Sequence, residues 1–258
     1  MANKEKPLIL VCNDDGVTAP GIRALIEVAK KFGRVVVVAP DKPQSGMGHA
    51  ITINSMLRIN QHMEEDGVEI YSTTGTPVDC IKLAVNEILD ERPDLIISGI
   101  NHGSNASINV LYSGTMSAAI EGCMEGIDSI GFSLLDFSID ADFSASQVYA
   151  EKIIRFVLAN GLEKGVCLNV NFPKIEAEGI AGIKVCRQAK ANWIEEFDKR
   201  KDPGGKEYYW LTGHFENHDH KEDTDLWALK NGYVSVVPVQ YDLTAYQSLE
   251  KLQTAEDA

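Results

Sequence analysis

Leu8-Ile9-Leu10-Val11-Cys12 runs directly into Asn13-Asp14-Asp15-Gly16, and the reading of this junction decides the fold. A short run of apolar, branched residues reads as a strand buried on both faces, the kind found inside parallel sheets. Open α/β sheets hold their ligands beyond the carboxyl ends of such strands, which is where Asp14 and Asp15 fall. Neighbouring side chains of a regular strand point to opposite faces, so these two carboxylates converge only if the backbone turns. Gly16 permits that turn. Two carboxylates held close repel each other, and a hard divalent cation relieves the repulsion. Alone, the same residues also describe a solvated turn; the rest of the chain decides between the two.

Outward from the junction, strand-like and helix-like patterns alternate. Pro20 opens a helix with Ile22, Leu25, Ile26 and Ala29 on one face and Gly33 as its stop. Val35 to Val38 read as a second buried strand. The polar loop from Pro40 to Asn54 is longer than a connector requires. Thr76-Pro77-Val78-Asp79 combines an N-cap hydroxyl, an N1 proline and a first-turn acid. The helix it opens carries Ile81, Ala84, Val85 and Ile88 on one face. Leu95-Ile96-Ile97 is the next strand, followed by a Gly/Ser/Asn-rich loop and a helix from near Gly114 to Gly126. A strand at Ile130-Gly131-Phe132, a helix marked by Tyr149, Ile153, Phe156 and Val157, and a strand from Val166 to Val170 complete the series. This alternation predicts βαβ units, hence an α/β fold with a Rossmann-like, mostly parallel sheet and helices on both faces. From about Gly179 the alternation stops. Short strands at Tyr208-Tyr209-Trp210 and Tyr233 to Val237, flanking an acidic loop with histidines, predict a C-terminal antiparallel extension or arm. One domain is expected over 1–258, with a core of about 7–178 and an extension of about 179–258.

The chain carries 24 Lys and Arg against 38 Asp and Glu, a net charge of −14. It therefore repels polyanions, which argues against long nucleic acid as a partner. A small phosphate ester stays accessible where a metal or backbone amides supply local positive potential. Cys12, Cys80, Cys123, Cys167 and Cys186 form no C-x-x-C pair and read as small core residues of a reducing compartment. Residues 1–6 lack a secretory-signal pattern, and no apolar run approaches membrane-spanning length. A soluble cytoplasmic protein without a membrane partner is expected.

Three polar loops follow predicted strands: Asp14-Asp15-Gly16, Gln44-Ser45-Gly46, and Asn101 through Thr115. Loops after parallel strands emerge at one sheet edge, so these three can meet. Their carboxylate, hydroxyl and amide oxygens are hard donors suited to Mg²⁺ or Mn²⁺ rather than zinc.

Read together, these segments closely resemble the SurE family of metal-dependent nucleotidases. The matching stretches are Asn13-Asp14-Asp15-Gly16, Ala19-Pro20-Gly21-Ile22, Ala39-Pro40-Asp41, Gln44-Ser45-Gly46 and Gly48-His49. Gly75-Thr76-Pro77, Asp79-Cys80, Ser98-Gly99-Ile100-Asn101, Gly103, Asn105 and Tyr112-Ser113-Gly114-Thr115 continue the match. Fainter echoes run through Leu168-Asn169-Val170-Asn171 and Thr224-Asp225 to Asp242-Leu243-Thr244. The resemblance implies a divalent-metal phosphomonoesterase acting on nucleoside 5′-monophosphates, and on 3′-monophosphates as a further expectation. It implies one cation per subunit, Mg²⁺ or Mn²⁺, on Asp14, Asp15, Ser45 and Asn101, with Asp14 and Asp15 also catalytic. Gly46, Asn105, Ser113, Gly114 and Thr115 would hold the phosphate and substrate. It further implies a homodimer or homotetramer that exchanges its C-terminal arm from about Tyr241. Two departures stand out: Ser107 occupies a position where the family often has glycine, and Met116 one where valine is usual.

Ser113 also reads as the N-cap of the following helix, a role compatible with an anion at the same helix end. His49 and His102 read as positioning groups, and His214, His218 and His220 as solvated loop residues. Water is favoured over an aspartate as nucleophile, because a carboxylate that holds a metal attacks poorly. The rival expectation is a non-catalytic nucleotide-binding regulatory module on the same sheet.

Overall fold

The computed structural model describes residues 6–253 and residue 255. The opening run forms β1 (Leu8–Cys12), buried along its whole length. Pleating sends its side chains alternately into two cores. Ile9 and Val11 pack with Ile22, Leu25 and Ile26 of α1 (Pro20–Ala29) on one face, and Leu8, Leu10 and Cys12 enter the core of the other. Strand β2 (Arg34–Pro40) lies parallel to β1. Beyond it, β4 (Glu69–Thr73) runs parallel to β2, and the short β3 (Ile59–Gln61) pairs antiparallel with β4. Helix α2 (Pro77–Leu83) begins at the expected cap: the Thr76 hydroxyl accepts the Asp79 N–H, and the Asp79 carboxylate accepts the Thr76 N–H.

Strand β5 (Leu95–His102) flanks β1 on its other side. There follow a 3₁₀ turn over Ser107–Leu111, α3 (Gly114–Met124), β6 (Ser129–Leu134), α4 (Ser144–Asn160) and β7 (Val166–Phe172). Helices α1 and α4 share one core through Leu25, Ile153, Ile154 and Val157, whereas α2 and α3 reach the other through Ile81 and Ala118. The remaining elements are β8 (Gly182–Val185), β9 (Ala191–Lys201), β10 (Glu207–Asn217), α5 (Asp225–Lys230), β11 (Tyr233–Gln240) and α6 (Tyr246–Gln253).

The sheet order is β3-β4-β2-β1-β5-β6-β7-β11-β8, with β9 and β10 forming a separate two-stranded hairpin. The chain therefore builds outward from β1 to β2 and β4, then returns to build the other way through β5, β6 and β7. That reversal lies between β1 and β5, and it opens a crevice at their carboxyl ends. Within the extension, β11 joins β7 antiparallel and β8 joins β11 in parallel, so this region completes the main sheet as well as forming the hairpin. The Tyr208-Tyr209-Trp210 strand is much longer than expected, and His214 lies inside it rather than in a loop. Both hairpin faces are largely exposed, so its sequence carries no apolar alternation to mark its length.

Candidate active site

Asn13 holds the turn that ends β1. Its Nδ2 donates to the Gly16 carbonyl at 3.0 Å, and its Oδ1 accepts the Gly16 N–H at 3.2 Å. Gly16 takes φ +100°, a left-handed value that an L side chain resists. The next two residues reach across the crevice. The Thr115 hydroxyl donates to Asp14 Oδ1 at 2.5 Å, and the His102 N–H donates to Asp15 Oδ2 at 3.3 Å. Gly114 makes the first of these approaches possible: a Cβ there would fall 2.6 Å from the Asp14 Cβ. The Gln44 N–H donates to the Asp14 carbonyl at 2.8 Å, drawing the second loop to the same edge.

Asn101 lies one residue before the end of β5 with its amide nitrogen committed to backbone, donating to the His102 carbonyl (3.2 Å) and the Gly103 carbonyl (2.9 Å). This fixes its Oδ1 as the acceptor the side chain offers. Asn105 is buried; its Nδ2 donates to the Ser133 hydroxyl (2.7 Å), and its own N–H goes to Asn171 Oδ1 (2.8 Å). Asn169 Nδ2 in turn donates to the Asn105 carbonyl at 2.8 Å. Ser113 accepts the Met116 N–H at 3.0 Å and caps α3, as its sequence context suggests. Asp14, Ser45, Gly46, Asn101, Asn105 and Ser113 border one cavity of about 330 Å³. Gly114 and Thr115 stand against Asp14, and Asp15 is tied to the backbone of His102.

The electrostatics of this pocket favour a cation. Burial lifts the Asp14 carboxyl to about 6, the nearby Asp15 charge adds to the lift, and the Thr115 hydrogen bond opposes it. Burial also raises Asp15, against the pull of the His102 N–H. Two adjacent carboxylates, Asp14 buried and Asp15 half-buried, both displaced upward, form a site that lacks positive charge. Among the described residues no group of three or more His, Cys, Asp or Glu side chains could hold a metal. A cation drawn to the two carboxylates would need further oxygen donors to complete its shell. Asn101 and Ser45 border the same cavity as Asp14, and their side-chain oxygens are hard donors of the kind that suits Mg²⁺ or Mn²⁺.

The histidines divide. His102 borders the cavity, with its ring edge-on to Phe143 at 5.1 Å. The His49 ring turns to Glu121 on α3, with Nε2 at 2.9 Å from a carboxylate oxygen. His218 Nε2 meets Asn192 at 2.6 Å, in the hairpin. Sequence reasoning did not single out Ser133, whose hydroxyl fixes Asn105, or the aromatic residues Phe137 and Trp193 on the cavity border. A lone aromatic in a loop or an exposed strand gives no signal of what it faces.

The chain is similar to known proteins along nearly its whole length. The family model described as Survival protein SurE matches residues 9–195. A protein of Flavobacterium psychrophilum named 5′-nucleotidase SurE is 64% identical over 248 residues, covering 96% of each chain. One of the same name from Flavobacterium johnsoniae is 63% identical over 251 residues, covering 97% of each. The crystal structure of the SurE protein from Aquifex aeolicus superposes with a TM-score of 0.85 at 42% identity, over 97% of this chain and 100% of that one.

Proposed function

The chain belongs to the SurE family, and from that premise we propose that it is a divalent-metal-dependent phosphomonoesterase. Its substrates are nucleoside 5′-monophosphates, with 3′-monophosphates as a further class, cleaved to nucleoside and phosphate. The near-full-length relatives named 5′-nucleotidase support this reading. The single observation that carries it here is the adjacent Asp14-Asp15 pair, both raised by desolvation, with Asp14 bordering the same cavity as Ser45 and Asn101 from two other segments of the chain.

Asp14, Asp15, Ser45 and Asn101 would hold one cation per subunit, Mg²⁺ or Mn²⁺. When bound, that ion supplies Lewis-acid polarisation of a phosphoryl oxygen and offsets developing charge. The protein itself supplies orientation. Thr115 fixes the rotamer of Asp14, the His102 N–H fixes Asp15, and the backbone carbonyls of His102 and Gly103 turn Asn101 Oδ1 outward. The N-terminus of α3, with Ser113, Gly114 and Thr115, presents its first turn to the phosphate, joined by Gly46 and Asn105. Water attacks phosphorus, a new P–O bond forms, and the ester P–O bond breaks with its electron pair leaving on the nucleoside oxygen, which takes a proton. Water is favoured over Asp14 as the nucleophile, since a carboxylate that holds a cation attacks poorly. Solvent oxygen-18 should appear in phosphate during a single turnover; label entering an aspartate first would reverse that assignment.

Assembly and location belong to the same proposal. A homodimer or homotetramer exchanges the arm from about Tyr241, whose apolar side chains stand exposed. A cytoplasmic setting accords with five buried cysteines that are free thiols. Among the described residues no helix is long and apolar enough to cross a membrane. The decisive assay measures phosphate release from a nucleotide panel by wild type and Asp15→Asn, with and without chelator. Metal-independent nucleotide binding with no release would replace the enzyme by a regulatory binding module.

A further inference from the structure

We propose that the cavity beside Asp14 contains a nucleobase subsite, with Trp193 as its aromatic wall and Phe137 at its rim. The inference rests on the phosphomonoesterase reading of the same site and names the group by which nucleotides are told from other phosphate esters. Everything assigned so far, carboxylates, amides and a helix end, suits a cation and a phosphate. None of it calls for an aromatic ring.

Trp193 enters from the base of the hairpin, on β9. Its indole Nε1–H donates to Asn109 Oδ1 at 2.8 Å, and its ring meets Phe215 at a centroid distance of 5.4 Å and an angle of 65°. The ring is thus fixed through its polar edge and supported by a second aromatic. It nevertheless stays 42% exposed and borders the same cavity as Asp14, Ser45 and Asn105. Phe137, in the loop after β6, is 83% exposed and borders that cavity too. Its ring sits on Gly103, where a Cβ would fall 2.2 Å from the ring edge. The chain carrying Asn101 therefore passes directly beneath it. A phenyl ring left this open forgoes the stabilisation that burial would give it. Exposed aromatic surface gathered at one site marks a place for a flat apolar partner. Every nucleobase has such a face, and stacking on an aromatic side chain is tolerant of base identity. It also requires no positive charge, which this acidic chain is poor in.

The test compares adenosine 5′-monophosphate with ribose 5-phosphate, which keeps the sugar and phosphoester but lacks the base. kcat and KM are measured on both for wild type, Trp193→Ala, Trp193→Phe and Phe137→Ala. For Trp193→Ala, kcat/KM should fall about tenfold further on the nucleotide than on the sugar phosphate, mainly through KM. Phe137→Ala should shift the ratio the same way by a smaller factor. Trp193→Phe keeps a stacking face without the N–H and should retain most of the selectivity. Equal losses on both substrates would make Trp193 a brace for the Asn109 turn and overturn the proposal. So would a Trp193→Phe variant as unselective as the alanine. If wild type cleaved neither ester, the phosphatase reading would fall alone. Quenching of tryptophan fluorescence by adenosine 5′-monophosphate but not ribose 5-phosphate, lost in Trp193→Phe, would still support the subsite, and its absence would remove it.

Discussion

Burial lifts the Asp14 carboxyl from an ordinary 3.8 to about 6, and Asp15 adds to the lift. The displacement is equivalent to about 3 kcal/mol against the ionised form. A carboxyl with a raised folded pKa carries no penalty below pH 4, where both states are protonated. Stability then falls as pH rises from about 4 to 6, because the unfolded chain gives up the proton first, and the full cost persists above 6. Asp14→Asn removes that cost while leaving an oxygen to accept from Thr115. In chelator, the variant should be more stable than wild type at pH 7.5 by roughly 1–3 kcal/mol, with the gain vanishing near pH 4. Urea midpoints across pH measure this, and a variant no more stable at pH 7.5 would refute the burial argument. The same change should reduce phosphatase activity by at least about a hundredfold, since even outer-layer partners of a metal typically cost 10–100-fold. Residues of this kind were legible in the sequence because two adjacent acids directly after a buried strand stand out locally, although only the other loops distinguished a site from a solvated turn. Asn105 shows the limit. Its neighbours Ser133, Asn169 and Asn171 come from distant strands, and only the parallel register of β6 and β7 brings them to it.

Elements position these side chains through a few cross-links, each of which is separately testable. Glu121 on α3 is buried, and it accepts from Lys82 on α2 and from His49 in the loop that carries Ser45. Burial pushes its carboxyl up, but the His49 and Lys82 hydrogen bonds outweigh that and hold it below the usual range. Its contribution is therefore present at neutral pH and is lost as pH falls through the depressed value. Both partners are partly exposed, so Glu121→Gln should cost only about 1–2 kcal/mol, with little of that cost remaining at pH 3. A variant whose deficit stayed constant with pH would deny the charge pairing. The turn after Asn105 supplies a second case. Ser107 takes φ +56°, a left-handed value that glycine adopts without strain. Serine tolerates it because its hydroxyl donates to the Ala189 carbonyl at 2.9 Å, while Asp225 accepts its N–H at 2.7 Å. Ser107→Ala loses the bond and keeps the strained backbone, so it should cost about 1–3 kcal/mol. Ser107→Gly loses the bond and relieves the backbone, and should unfold later than the alanine variant in denaturant, the reverse of the usual ranking. Legibility at this scale followed burial. Strands β1, β2 and β5 announce themselves as apolar runs, whereas β9 and β10 bury neither face and carry no such pattern.

Across the whole molecule, the last described segment, like the β9–β10 hairpin, has no core of its own. No described residue beyond Val239 belongs to a buried apolar cluster. Helix α6 has eight residues, too few to be stable in water by hydrogen bonding alone. It needs an apolar face buried against something, and it has the face: Tyr246, Leu249 and Leu252 recur at helical spacing, with Leu243 just before them, 84% exposed. Burying each such side chain is worth about 1.5–3 kcal/mol, enough in sum to hold subunits together. A second copy of the chain is the partner that is always present at matching concentration, and exchange of identical arms closes a two-fold assembly without leaving an open surface. Each subunit brings a net charge of −14, so association works against repulsion that salt screens. Light scattering should therefore return two or four protomer masses for the full chain, with tighter association at higher ionic strength. Deleting 241–258 should lower that mass while leaving the main sheet, which closes at β11 and β8, folded by circular dichroism. A full chain that stayed monomeric at every concentration and salt would defeat arm exchange, and an oligomer unaffected by the deletion would move the interface elsewhere, with the hairpin the next surface to examine.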